Sequence, residues 1–171
     1  GGEPSGADAG TQAQPCRART TAMLRNIPHQ CARDMLVRRL SLAGFSGRFD
    51  YVHLPVDFVN SDRCNLGFAF INFRTSDDYD EFARRFHGAP VQSCLPGFHS
   101  PALAAEVVPA RVQGLFENIR NLRNSRGMDR LVNYPERMPA IYNGNGEQLP
   151  FPLEDEVYPA PVPATPASGF M

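Results

Sequence analysis

The most constraining feature of this chain is the run Gly67-Phe68-Ala69-Phe70-Ile71-Asn72-Phe73. Aromatic residues dominate it and no proline interrupts it, which predicts a β-strand. Alternation along a strand sends Ala69, Ile71 and Phe73 to one face and Phe68, Phe70 and Asn72 to the other. The first face belongs on a core. The second carries two more phenylalanines, and large rings left on an open sheet face are costly unless something covers them. The segment therefore demands a sheet with helices on one side and a surface of some use on the other.

The flanking sequence supplies the remaining elements. Thr21 to Ile27 reads as a short strand stopped by Pro28, with Ala22 and Leu24 inward and Met23 and Arg25 outward. Arg33 to Ala43 reads as a helix, with Leu36, Leu40 and Ala43 at helical spacing, Gly44 and Phe45 closing it, and Ala32 a poor start. In the strand Phe49 to Pro55, strict alternation would put Phe49, Tyr51 and His53 on one face and Val52 and Leu54 on the other. A polar loop, Val56 to Asn65, leads into the strand that opened the argument. Thr75 then caps a helix whose stripe is Tyr79, Phe82, Ala83 and Phe86 and which Gly88 ends. After an irregular stretch, Ala89 to Leu103, a last strand is expected within Ala105 to Val112, at a sheet edge because of Pro109. The order β-α-β-β-α-β predicts an α+β, ferredoxin-like sandwich with both helices on one face and the other face open. Leu115 to Leu122, with Phe116 and Ile119, predicts an additional amphipathic C-terminal helix.

Composition bounds the domain. Residues 1–19 contain no large aliphatic or aromatic side chain, and residues 150–171 repeat proline around the cluster Glu154-Asp155-Glu156. Neither can bury enough apolar surface to offset its ordering entropy, so both are expected to be disordered tails. That leaves one folded domain over 20–131 and an irregular extension over 132–149. The chain starts at Gly1 rather than Met, which reads as a piece of a longer protein.

The net charge of −1 conceals a division: Thr20 to Arg130 holds 14 Arg against 11 Asp plus Glu, a net of +3. All 17 basic residues are Arg, which suits bidentate phosphate contact but equally fits a GC-rich genome. Cys16, Cys31, Cys64 and Cys94 form no C-x-x-C pair and have no His at ligand spacing, so neither a metal site nor a disulfide framework is expected. A reducing intracellular compartment fits this cysteine usage. No apolar run reaches the roughly 18 residues of a membrane span.

Leu66 to Phe73 resembles the octamer motif of RNA recognition motif (RRM) domains at seven of eight places, and Ala22 to Ile27 resembles their hexamer motif. A narrower resemblance joins Thr20 to Pro28, Gly44 to Asp50, Leu54 to Phe58, Cys64 to Phe73 and Ala110 to Gly114. These blocks look like the C-terminal RRM of the Mei-two-like RNA-binding proteins, regulators of meiosis and differentiation. The resemblance implies single-stranded RNA as the partner, in the nucleus or cytoplasm, with no catalysis and no cofactor. Its stacking positions fall on Phe68 and Phe70, where a base on a ring is worth about 1–3 kcal/mol. Three positions depart from the general pattern: Leu66 where a basic residue is usual, Met23 where an aromatic is usual, and Pro109 where the family often has a ring. Met23 still packs on a base, less well than a ring would.

The remaining candidate RNA contacts are Arg25, Tyr51, His53, Asn72, Arg111, Gln113, Arg120 and Arg123. Tyr51 and His53 sit on the neighbouring strand; a solvated sheet surface is the plain alternative. Arg25 and Arg111 flank the aromatic pair. Asn72 is placed to meet a base edge, or simply to be polar on an exposed face. Arg120 and Arg123, with Arg126 and Arg130, are candidates to replace the phosphate contact that Leu66 lacks, while the apolar side of their helix packs on the domain edge. Asn26 reads as a turn residue, and Asp77, Asp78, Asp80 and Glu81 as a solvated first helical turn. The rival function is an RRM-fold module that binds protein, through Phe68 and Phe70 or through the Pro-rich tail. An enzyme is not expected: no nucleophile stands beside a base, and there is no phosphate loop.

Overall fold

The computed structural model describes residues 18–59, 64–98 and 104–154. The expected tails, 1–19 and 150–171, fall largely outside the described residues. Among the described residues, strands and helices build the domain around one sheet, with a π-helical turn (Ser41–Phe45) prolonging the first helix and a 3-10 turn at Pro135–Arg137. The strands and helices are β1 (Thr21–Arg25), α1 (Arg33–Leu40), β2 (Phe49–His53), β3 (Phe68–Phe73), α2 (Ser76–Phe86), α3 (Val91–Cys94), β4 (Glu106–Pro109), α4 (Leu115–Arg123), α5 (Met128–Leu131), β5 (Ala140–Tyr142) and β6 (Gln148–Leu149). The strand order is β4-β1-β3-β2-β5-β6, antiparallel at every pairing. Its first four strands and the helices α1 and α2 make the ferredoxin-like α+β sandwich that the sequence predicts. Pro109 does lie on an edge strand, where the ladder bond it cannot make is not needed.

The main core lies between the sheet and the two helices. Ala22, Leu24, Ala69, Ile71 and Phe73 from the strands meet Leu36, Leu40, Phe82 and Phe86 from the helices, all buried. Phe45 closes this layer edge-on to both Phe73 and Phe82, each at 5.7 Å between ring centres. It reaches that place because Gly44 turns the end of the helix at φ +95°, a conformation that costs glycine nothing. Thr75 caps α2 as expected, its hydroxyl accepting from the Asp78 amide at 3.1 Å. Ala32 starts α1 without a side-chain cap bond.

Four expectations are corrected. Phe49 and Tyr51 do not share a face: a β-bulge at Asp50 pairs Phe49 with Phe73 and Tyr51 with Asn72. The extra residue resets the alternation, so Phe49 enters the main core while Tyr51 turns outward. The stretch 132–149 is not irregular, since β5 and β6 extend the sheet beyond β2. The Pro-rich stretch is not loose from Pro150 onward: Phe151 packs on the outer face of the sheet, and Pro152 is buried. Finally, α4 does not sit on the domain edge. It lies across the outer sheet face, which is therefore only partly open.

Candidate nucleic-acid interface

Cross-strand pairing places the outer-face residues in rows. One row is Glu106, Arg25, Phe68; the next is Val108, Met23, Phe70, His53; the third runs Thr21, Asn72, Tyr51, Ile141. Directly paired residues share a face, so each row is a strip of outer surface.

The third row is covered. Ile119 of α4 packs with Tyr51 and Ile141 in a second, smaller core, joined by Leu115, Phe70, Leu149 and Phe151. Phe116 points away from it and is exposed. A buried polar network pins the helix down. The Thr21 hydroxyl accepts from the Gly114 amide at 2.9 Å and from the Asn118 side chain at 3.2 Å, and donates to Asn72 Oδ1 at 2.7 Å. Asn72 Nδ2 in turn donates to Asp50 at 2.8 Å. Burial pushes the Asp50 carboxyl up, against the Asn72 bond and the charge of Arg74. Gln113 fixes the chain leading into α4. Its side chain accepts from the Thr20 and Thr21 amides, each at 2.9 Å, and donates to the Thr21 and Ala110 carbonyls, each at 2.8 Å.

These contacts sort the candidates. Asn72, Gln113 and Tyr51 are taken up in seating α4, with Asn72 3% and Tyr51 2% exposed. His53 is also buried, at the border of the covered region, and burial pushes its imidazole down to about 4. Phe68, Phe70 and Met23 remain partly exposed, with Arg25 open beside them. The Phe68 and Phe70 rings stand edge-to-face at 5.7 Å. Arg25 leans on Glu106 at 3.4 Å, a pair open to solvent on both sides and easily exchanged for another anion. On the side of α4, Arg111 and Arg120 are exposed, Arg120 paired with Glu117 at 3.2 Å, while Arg123 reaches the Pro152 carbonyl at 3.4 Å. Leu66 is 46% exposed and Asn26 holds a left-handed turn, φ +67°, donating to the Ala104 carbonyl at 2.9 Å.

The surface is thus a short aromatic strip with arginines at both ends, walled by a helix. The family model RNA recognition motif 2 matches residues 19–123, ending at the last residue of α4. The chain belongs to the RNA recognition motif 2 family. The helix that walls the face therefore lies within the matched span.

Among curated proteins, Protein MEI2-like 4 of Oryza sativa subsp. japonica is 32% identical over 141 residues, covering 80% of this chain and 13% of its own length. The Meiosis protein mei2 of Schizosaccharomyces pombe is 34% identical over 135 residues, covering 78% of this chain and 17% of its own. The chain thus spans less than a fifth of these relatives, and within the family it is most like the Mei2-like proteins. Among solved structures, an Sxl-lethal protein/RNA complex matches at 16% identity, covering 57% of this chain and 53% of that one, with a TM-score of 0.43. Among the described residues, no group of three His, Cys, Asp or Glu is placed to hold a metal ion, and no helix is long and apolar enough to cross a membrane.

The sequence reading missed Thr21, Asp50 and Asn118, the polar residues that seat α4. Asn118 falls on the same side of α4 as Leu115 and Ile119 by spacing, and a polar residue inside an apolar stripe was the available signal.

Proposed function

We propose that the uncovered part of the outer sheet face binds single-stranded RNA, with Phe68 and Phe70 as stacking platforms and Met23 as a weaker one. The observation that carries this reading is selective exposure. The same strand that buries Ala69, Ile71 and Phe73 completely leaves Phe68 and Phe70 accessible, while α4 covers the neighbouring Tyr51. A fold that had no use for these rings had a helix at hand to cover them. Arg25 at one end and Arg111 beside Phe70 at the other, with Arg120 on the outer side of α4, are the groups that meet phosphates. Kinship with the Mei2-like proteins supports a role in a regulator of meiosis or differentiation that acts on transcripts in the nucleus or cytoplasm, as a monomeric domain without catalysis.

The test is a titration of short single-stranded RNAs against wild type and a Phe68→Ala/Phe70→Ala double variant. Binding by wild type, weakened at least about tenfold in the variant, is expected from the loss of two stacked bases. Equal binding by both proteins, or binding by neither, rejects the reading. A variant that keeps RNA affinity but releases a protein partner would instead favour a protein-binding surface on the same rings.

A further inference from the structure

Between α4 and the sheet lies a groove of about 210 Å³, lined by Tyr51, His53, Phe70, Arg111, Asn118 and Leu122. One wall is aromatic: the His53 and Phe70 rings are tilted by only 20° to each other, with centroids 6.5 Å apart. His53 is 8% exposed, yet its imidazole has no hydrogen-bond partner for Nδ1, which is sealed from solvent with less than 1 Å² accessible. Buried polar atoms of native proteins are overwhelmingly satisfied, and each exception asks for an explanation. A packing defect would be a poor one here. Apolar defects are dry and lined by aliphatic groups, whereas this groove carries an imidazole, a guanidinium and carboxamides. The Asn118 amide is already held by Thr21 and by the Gly114 carbonyl at 2.7 Å. Arg111 and Asn121, both exposed at the rim, are the groups left to meet something inserted.

Building on the RNA-binding reading above, we propose that this groove receives one base of the bound strand and that the His53 imidazole, turning to bring a ring nitrogen into the groove, hydrogen-bonds its edge. The groove begins at Phe70, so a strand stacked on Phe68 and Phe70 brings an adjacent base to its mouth. His53 is then a specificity residue, and Phe68 supplies affinity without choosing among bases. Burial keeps the imidazole neutral at physiological pH, so it offers one N–H and one lone pair, a pairing group that discriminates between base edges. A plain ring in its place stacks equally well and discriminates nothing. A buried group left unpaired by the wrong partner is a strong basis for selection.

The experiment uses the whole chain and four fluorescent octamers, rA8, rC8, rU8 and r(GU)4, with affinities read by anisotropy. Wild type is expected to prefer one octamer by about tenfold. His53→Phe, which keeps a ring beside Phe70, is expected to bring the four within about threefold while leaving the weakest unchanged. Phe68→Ala is expected to weaken all four alike and preserve their order. A His53→Phe protein that keeps the wild-type preference, or a wild type with no preference, overturns this proposal alone. Wild type that binds none of the four overturns the RNA reading and this proposal with it. Nitrogen NMR of the histidine-labelled wild type gives a readout independent of any variant's folding. A His53 ring nitrogen must shift with the preferred octamer and stay unmoved by the weakest.

Discussion

The Thr21 hydroxyl stands 2.7 Å from Asn72 Oδ1 and 2.9 Å from the Gly114 amide, and so ties the first strand to its neighbour and to the start of α4 at once. One oxygen donates one bond and accepts two, and Thr21 itself is fully buried. A methyl in its place strands the Gly114 amide, while Asn72 Oδ1 keeps the Thr20 hydroxyl at 2.9 Å and Asn118 keeps the Gly114 carbonyl at 2.7 Å.

Thr21→Val is therefore expected to destabilise the domain by roughly 1–3 kcal/mol, the usual result of stranding one buried donor. Urea denaturation checks the total, and amide hydrogen exchange checks the location. Protection is lost first in Leu115–Arg123, before the central strands. Uniform loss of protection across β1 and β3 would show that the hydroxyl serves the sheet and not the helix.

Ile119 is the apolar counterpart of that tie, 4% exposed against Tyr51 and Ile141. Ile119→Ala is expected to lower stability by about 2–4 kcal/mol, from lost burial and a partly unfilled cavity. It should also expose Tyr51, which limited proteolysis after α4 and tyrosine fluorescence both report. A variant as stable as wild type would mean that the hydrogen bonds around Thr21 alone seat the helix.

The sandwich itself was legible because its signals are local and redundant. Phe68 to Phe73 alternates cleanly, Thr75 announces α2, and Gly44 announces the end of the α1 turn. Each of these survives in the structure with the faces the pattern assigns. The outer face was less legible, for three physical reasons. The bulge at Asp50 breaks the two-residue period, and nothing in Phe49-Asp50-Tyr51 distinguishes a bulged strand from a regular one. The strand β5 is three residues long, too short for any period, although Asn143-Gly144-Asn145-Gly146 between β5 and β6 is a recognisable turn composition. The seat of α4 depends on hydrogen bonds between residues about 90 positions apart, such as Thr21 and Asn118. No windowed pattern reaches that far. Hence Tyr51, Asn72 and Gln113 looked like surface and proved to be mortar.

His53 gives the fold a pH dependence of definite sign. Its imidazole is held down to about 4 in the folded protein by burial, against an ordinary value near 6.5 when unfolded. Between those values the unfolded chain binds the extra proton and the folded one does not. Stability from this group is therefore complete above about pH 6.5 and falls as the pH drops toward 4. The loss amounts to roughly 2–3 kcal/mol at the acid end of the window. Asp50 opposes it, since a carboxyl pushed up by burial takes its proton more readily when folded. Thermal melts of wild type and His53→Phe from pH 7.5 to 4.5 isolate the histidine, because both proteins carry Asp50. The difference in Tm between the two is expected to widen in favour of the variant as the pH falls. A constant difference would place His53 in contact with water.

Arginines at the ends of the aromatic strip carry the last expectation. Leu66 offers no charge just before β3, so phosphate contact is expected from Arg25 on one side, from Arg111 on the other, and from Arg120 on the outer side of α4, all exposed. Each phosphate neutralised releases condensed counterions, and the logarithm of affinity falls with the logarithm of salt by about 0.7 per contact on a single strand. Arg111→Gln with Arg120→Gln is therefore expected to flatten the salt slope by about 1.4 while leaving Tm unchanged, because Arg120 contributes only a surface pair with Glu117. Phe68→Ala should act in the opposite way, weakening binding at every salt concentration without changing the slope, since stacking moves no counterions. Anisotropy titrations at four salt concentrations separate the two kinds of contact. If the double arginine variant keeps the wild-type slope, the strand runs past Arg25 and away from α4, and the groove beside His53 lies off its path.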